Sequence, residues 1–221
     1  MIWTISKYLK NRKNPTVILP STLCISLAVI FKNLGIKIIY VDIDLKTGLI
    51  REDLLIQKIK NEKIDAIFYV NLFGNVGKNS FLSYAKKRGI LLVQDLAQTF
   101  ISFSKYKNKK FIFGDIIIIS FGYSKIFDLN GGAILLAKNK KLFEELKQIK
   151  FKKNNENLNQ VKNNYLNWYH NNFAYNRIID IAHTQKFAKK LYIKPYHKKF
   201  DNKIFLSLKR LKNEEQRRQK I

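Results

Sequence analysis

Acidic residues are scarce in this chain. Its 221 residues include 16 Asp+Glu against 42 Lys+Arg, a net charge of +26, with only three histidines and one cysteine. The lone Cys24 excludes an internal disulfide and fits a reducing cytoplasm. His170, His183 and His197 stand 13 and 14 residues apart, without the clustering that metal ligands show. No apolar run is long enough to cross a bilayer. Ile116 to Phe121 is strand-sized and is fenced by Asp115 and Gly122. Met1 to Asn14 carries Lys7, Lys10, Arg12 and Lys13 and lacks the charged, apolar, then small order of a signal peptide. There is no internal repeat, no zinc knuckle and no aromatic-rich RNA-binding strand.

The basic excess has two readings. One is an anionic partner, nucleic acid or a membrane surface. The other is coding bias, since Ile, Lys and Asn are all heavily used. The charges are diffuse: residues 151–221 hold 17 basic and 5 acidic residues, only somewhat more than the rest. Bias accounts for this better than nucleic acid or membrane does, leaving some attraction toward anionic substrates.

What is present is alternation. Thr16 to Leu19 is a short apolar run. A helical stretch opens at Pro20-Ser21 and reaches Leu34, and Gly35 closes it. Lys37 to Val41, Ala66 to Leu72, Ile90 to Val93, Ile116 to Ser120 and Ala133 to Ala137 read as strands. Arg51 to Lys60, Ser80 to Arg88 and Lys140 to Ile149 read as helices, the last with Leu142, Leu146 and Ile149 on one face. This spacing predicts an α/β fold, a mostly parallel sheet between helices. Ligands of such sheets sit beyond the carboxyl ends of the strands. Asn71, Asp95 and Lys125 all fall there. Residues 1–150 form the expected large domain. Residues 151–221 form a basic, Asn-rich, mainly helical extension: Asn154 to Asn172 reads as a loop or a poorly ordered segment, Asn176 to Tyr192 and Phe205 to Arg218 as helices.

Two residues at the carboxyl edge invite chemistry. Lys125 follows an apolar strand and precedes Gly131-Gly132, which let a planar ring approach. A lysine that condenses with an aldehyde needs a pocket favouring its neutral amine. The plain alternative is a solvated turn lysine. Asp95, in Gln94-Asp95-Leu96-Ala97-Gln98, is a carboxylate among apolar neighbours and needs a partner. A protonated pyridine nitrogen is one such partner; a helix N-terminus that the aspartate caps is the other. Cys24 reads as a small core residue rather than a nucleophile. Asp42 and Asp44 cap or solvate a turn.

Seven segments in order resemble the DegT-type family of pyridoxal-phosphate (PLP) dependent sugar aminotransferases. They are Pro20-Ser21, Tyr40-Val41-Asp42-Ile43-Asp44, Asn71-Leu72-Phe73-Gly74, Gln94 to Gln98, Gly114-Asp115, Ser120-Phe121 with Lys125 five residues after Ser120, and Gly131-Gly132. Tyr175-Asn176-Arg177 is similar to the family's Asn-x-Arg element, and Glu214 to Arg218 to its paired-arginine helix. The resemblance implies the large domain of a type I aminotransferase with PLP as cofactor. Lys125 would carry PLP covalently and move protons. Asp95 would hold the pyridine nitrogen protonated. Gln98 would lie on the ring-hydroxyl side, and the Ser120 hydroxyl would donate to the phosphate. Asn176 would reach the phosphate of a neighbouring subunit, since the family's sites lie at a homodimer interface. Lysine rather than histidine at position 125 favours transamination over the family's dehydratase branch.

The reaction implied moves an amino group, typically from glutamate, to a nucleotide-linked keto-sugar in the cytoplasm for surface polysaccharide synthesis. The sequence also departs from the family. It has no Ser-Gly-Thr phosphate loop, a source of converging N–H donors. Cys24 stands where an aromatic stacks on the ring, a contact worth about 1 kcal/mol. The Asn-x-Arg element is shortened to Asn176-Arg177, Gly131-Gly132 sits about one residue closer to Lys125, and Asn130 replaces an acid. The resemblance also implies truncation at both ends: residues 1–150 would be the PLP-binding large domain without its usual N-terminal part, and residues 151–221 the start of a C-terminal region most of whose small domain is missing. Two functions are therefore expected as alternatives: a reduced aminotransferase, or an inactive relative serving as a binding or assembly subunit or a degenerate gene product.

Overall fold

The computed structural model describes residues 1–99, 111–121, 125, 133–149, 163 and 167. Six strands form one sheet in the order β2-β1-β3-β4-β5-β6. They are β1 (Thr16–Pro20), β2 (Lys37–Val41), β3 (Ala66–Val70), β4 (Leu91–Asp95), β5 (Ile116–Ser120) and β6 (Ala133–Ala137). All neighbours pair in parallel except β5 with β6, which are antiparallel. The α/β, mostly parallel sheet expected from the alternation is the observed one.

The strands read as continuous apolar runs because both faces are covered. On one face lie α1 (Ile2–Lys10), α2 (Ile25–Asn33) and α5 (Lys140–Lys147). Ile5, Leu9, Phe31, Leu142 and Leu146 pack there against Val17, Leu19, Phe68, Val93 and Ile118. On the other lie α3 (Glu52–Asn61) and α4 (Leu82–Lys87), whose Leu55, Ile59 and Ala85 meet Ile18, Ile67, Tyr69 and Leu92. The chain steps from β1 outward to β2, then crosses back to β3. Right-handed crossovers in opposite directions place α2 and α3 on opposite faces.

Local chemistry sets the helix limits. Glu52 and Asp53 begin α3 and Lys58 and Lys60 end it, matching the helix dipole. Asn139 caps α5 by accepting from the Leu142 N–H at 2.9 Å, as an N-cap asparagine should. Gly35 turns the chain after α2 at φ +66°, a conformation that costs glycine nothing.

Three elements differ from expectation. Residues 2–10 are a helix, although their sequence seemed informative only about targeting. The signal was there: Ile5 and Leu9 lie four apart and are fully buried. The helix expected from Pro20-Ser21 begins only at Ile25, because Pro20 completes β1 opposite Val41. In the asparagine-rich stretch expected as a loop, Asn163 and Asn167 are helical and exposed. The helices expected at Asn176 to Tyr192 and Phe205 to Arg218, and Gly131-Gly132, lie outside the described residues. No helix among the described residues is long and apolar enough to cross a membrane.

Candidate cofactor site at the carboxyl edge

Parallel pairing brings the ends of β1 to β5 to one edge. Ser21, Asp42, Asn71, Asp95 and Ser120 therefore line the same rim. Ser21 Oγ donates to Asp42 Oδ1 at 3.0 Å, and the Ile43 N–H donates to the same oxygen at 2.8 Å. Asp44 Oδ1 accepts from the Lys46 and Thr47 N–H groups and from the Thr47 hydroxyl. Those bonds hold its carboxyl below the usual range. Both aspartates are turn formers, as their sequence context suggested.

Asp95 is different. It is the last residue of β4 and is 7 % exposed. The Ala97 N–H donates to its Oδ1 at 2.8 Å, an Asx turn rather than a helix N-cap. Among the described residues no donor reaches Oδ2. Burial pushes the carboxyl's pKa up; the Ala97 N–H and the Lys125 ammonium pull it partly back. Lys125 therefore lies within electrostatic reach of Asp95, and its own side chain is half-buried. Gln98 is half-buried three residues beyond Asp95, and Ser120 is half-buried at the end of β5. Asn176 lies outside the described residues.

Cys24 is exposed at the start of α2, not a core residue. The strand before it ends at Pro20, so residues 21–24 cross the open rim rather than the packed layer. Among the described residues no group of His, Cys, Asp and Glu is arranged to hold a metal.

Sequence reasoning quoted Gln94 and Asn71 without giving them work. Both are buried, at 0 % and 1 % exposure. Gln94 Oε1 accepts from the Phe113 and Gly114 N–H groups at 3.1 and 3.2 Å. Its Nε2 donates to Asn71 Oδ1 at 2.9 Å and to the Phe111 carbonyl at 2.7 Å. Alternation along β4 was the available signal: a glutamine next to a buried aspartate points into the opposite layer and needs its own partners.

A family model matches residues 6–184, that of the DegT/DnrJ/EryC1/StrS aminotransferase family. The chain belongs to this family. Its fold is shared with solved structures. One is E. coli GDP-4-keto-6-deoxy-D-mannose-3-dehydratase with bound hydrated PLP, at a TM-score of 0.56 and 20% identity. A GDP-4-keto-6-deoxymannose-3-dehydratase with bound GDP-perosamine matches at 0.55 and 22%. Both alignments cover 66% of this chain and 39% of the other. A DegT DnrJ EryC1 StrS aminotransferase from Brucella abortus matches at 0.54 and 20%, covering 71% of this chain and 46% of that one. The chain thus spans less than half the length of these relatives.

The family's cofactor, PLP, is an anion with a basic ring nitrogen and an aldehyde. The donor set fits it. A buried carboxylate with one oxygen that no donor reaches among the described residues suits a pyridinium N–H, and an amine within electrostatic reach suits the aldehyde.

Proposed function

We propose that this chain binds PLP at the carboxyl edge and transfers an amino group to a nucleotide-linked keto-sugar, with glutamate as donor. The observation that carries this is Asp95: a buried carboxylate whose Oδ2 has no protein donor among the described residues, within reach of Lys125. PLP, when bound, supplies an electron sink that stabilises negative charge at the amino-bearing carbon.

This chain's residues supply the rest. Asp95 Oδ2 keeps a proton on the ring nitrogen, and the ionic pairing offsets the cost of burying the carboxylate. Lys125 Nζ holds the cofactor covalently and, once released, carries a proton to and from the amino carbon. Gln98 lies on the ring-hydroxyl side. The Ser120 hydroxyl donates to the phosphate, and Asn176 of a second copy completes that contact in a homodimer. The net exchange balances: glutamate gives up nitrogen and leaves as a 2-oxo acid, while the keto-sugar becomes an amino-sugar. Relatives solved with a GDP-sugar, and the basic excess of the chain, support an anionic nucleotide-linked substrate. Residues 1–150 are the cofactor domain in this reading, with a cytoplasmic role in surface-sugar synthesis.

The test is PLP absorbance of the full chain, followed by borohydride reduction and peptide mapping. A shifted band and a single adduct on Lys125, both absent in Lys125→Ala, are expected. No band, or label scattered over many lysines, would overturn the enzyme reading in favour of a binding or assembly subunit.

A further inference from the structure

We propose that Asn71 is a positioning residue for Asp95, held in one orientation by Gln94 and fastening the 95–99 turn to the end of β3. The relevance to PLP rests on the function proposed above; the positioning itself does not.

Gln94 sets the first orientation. Its side-chain acceptor faces two backbone N–H groups, those of Phe113 and Gly114. Only an oxygen satisfies both, so the amide cannot be reversed. Its NH₂ must then face Asn71 and the Phe111 carbonyl. That in turn settles Asn71: Oδ1 points at Gln94, and Nδ2 donates to the Asn75 carbonyl at 2.9 Å. The orientation of one buried amide dictates the next.

The backbone of Asn71 is used as fully. Its N–H donates to the Asp95 carbonyl at 3.0 Å, one step past the Val70–Asp95 pair that ends the β3–β4 ladder. Its carbonyl accepts from the Thr99 hydroxyl. Thr99 N–H also donates to the Leu96 carbonyl at 3.0 Å, and Leu96 N–H to the Ile118 carbonyl at 2.9 Å. The turn is thus closed on Asn71 at both ends, at Asp95 and at Thr99. Inside it the Ala97 N–H holds Asp95 Oδ1. Oδ2 meets no donor among the described residues. The two backbone groups of Asn71 tie the turn directly, and its side-chain amide, bonded to Gln94 and to the Asn75 carbonyl, fixes the residue that carries them.

The test uses native-state hydrogen exchange of the full chain without cofactor. The Ala97 amide reports the Asp95 bond directly. Thr99→Val removes the hydroxyl tie at constant shape, and Asn71→Ala removes both amide contacts. Leu9→Ala, in α1 and outside this network, is the control for general destabilisation. In both site variants, Ala97 exchange should rise about tenfold or more relative to the Val93 and Ile117 amides, the size expected for losing a bond worth about 1.4 kcal/mol. In Leu9→Ala the ratio should stay at its wild-type value. Unchanged Ala97 exchange in both site variants, or an equal rise in the control, would overturn the proposal. PLP titration then separates the two claims. Weaker PLP binding in the site variants supports the link to the cofactor. A wild-type chain that takes up no PLP at Lys125, yet shows the exchange effect, supports the positioning and overturns the cofactor reading alone.

Discussion

At the scale of single residues, the buried carboxylate of Asp95 costs the fold stability. Burial raises its folded pKa above the value of about 3.9 for an unfolded aspartate. Ionising it in the native state therefore costs folding free energy. That cost is absent below the unfolded pKa, grows as pH rises toward the folded pKa, and is complete above it. Asp95→Asn should raise the urea midpoint of the cofactor-free protein at pH 7, and the difference should close as pH approaches about 3. A variant less stable than wild type at pH 7 would show that the carboxylate is already fully compensated inside the protein. The sequence placed Asp95 and Lys125 at a strand edge, but left Asp95 divided between a ring partner and a helix cap. The 2.8 Å bond from Ala97 makes it a turn former whose Oδ2 meets no donor among the described residues, which no pattern of residues could reveal.

At the scale of elements, the join between β4 and β5 is tightly packed. A Cβ on Gly114 would lie 2.7 Å from Gln94 Cβ and 2.7 Å from the Ile116 carbonyl oxygen. Both neighbours are fixed, one by a hydrogen-bonded side chain and one by the strand. Gly114→Ala should therefore destabilise by about 1–3 kcal/mol, the range for overpacking, measured by urea denaturation. No loss would mean that the loop before β5 yields freely. Asp115, the next residue, has a matching role. It accepts from the Leu92 N–H at 3.0 Å and from Lys138 Nζ at 3.3 Å, pinning β4, β5 and the exit of β6. The pair Gly114-Asp115, quoted in sequence only as part of a family pattern, is a packing device. The converse case is α1. Its apolar residues Ile2, Ile5 and Leu9 recur at helical spacing among basic ones, a pattern too short to fix a helix on its own. Its burial is set by contacts with α2 and α5, which are remote in sequence.

At the scale of the whole molecule, charge is the dominant property. With 42 basic and 16 acidic residues, most cations cannot each have an acid of their own. Ion pairs among the described residues include the exposed Arg51–Asp53 and the half-exposed Lys138–Asp115, and such pairs contribute little. Repulsion should therefore oppose the compact state and weaken as salt shortens its range from about 10 Å at 0.1 M to about 3 Å at 1 M. The melting temperature should rise as sodium chloride is added over that interval. A fall would mean that attractive pairs outweigh the repulsion.

The sequence by itself determined the alternation of strands and helices, the family, and the rim on which Asp95, Ser120 and Lys125 fall. These are local or periodic properties: an apolar run fits a doubly covered strand wherever that strand sits. Strand order, the helix at the N-terminus, the exposure of Cys24 and the orientation of the Gln94–Asn71 pair were decided only by the tertiary structure. Each depends on which groups from distant segments meet. A buried amide takes its direction from donors on another strand, and those donors are brought to it only when the sheet is assembled.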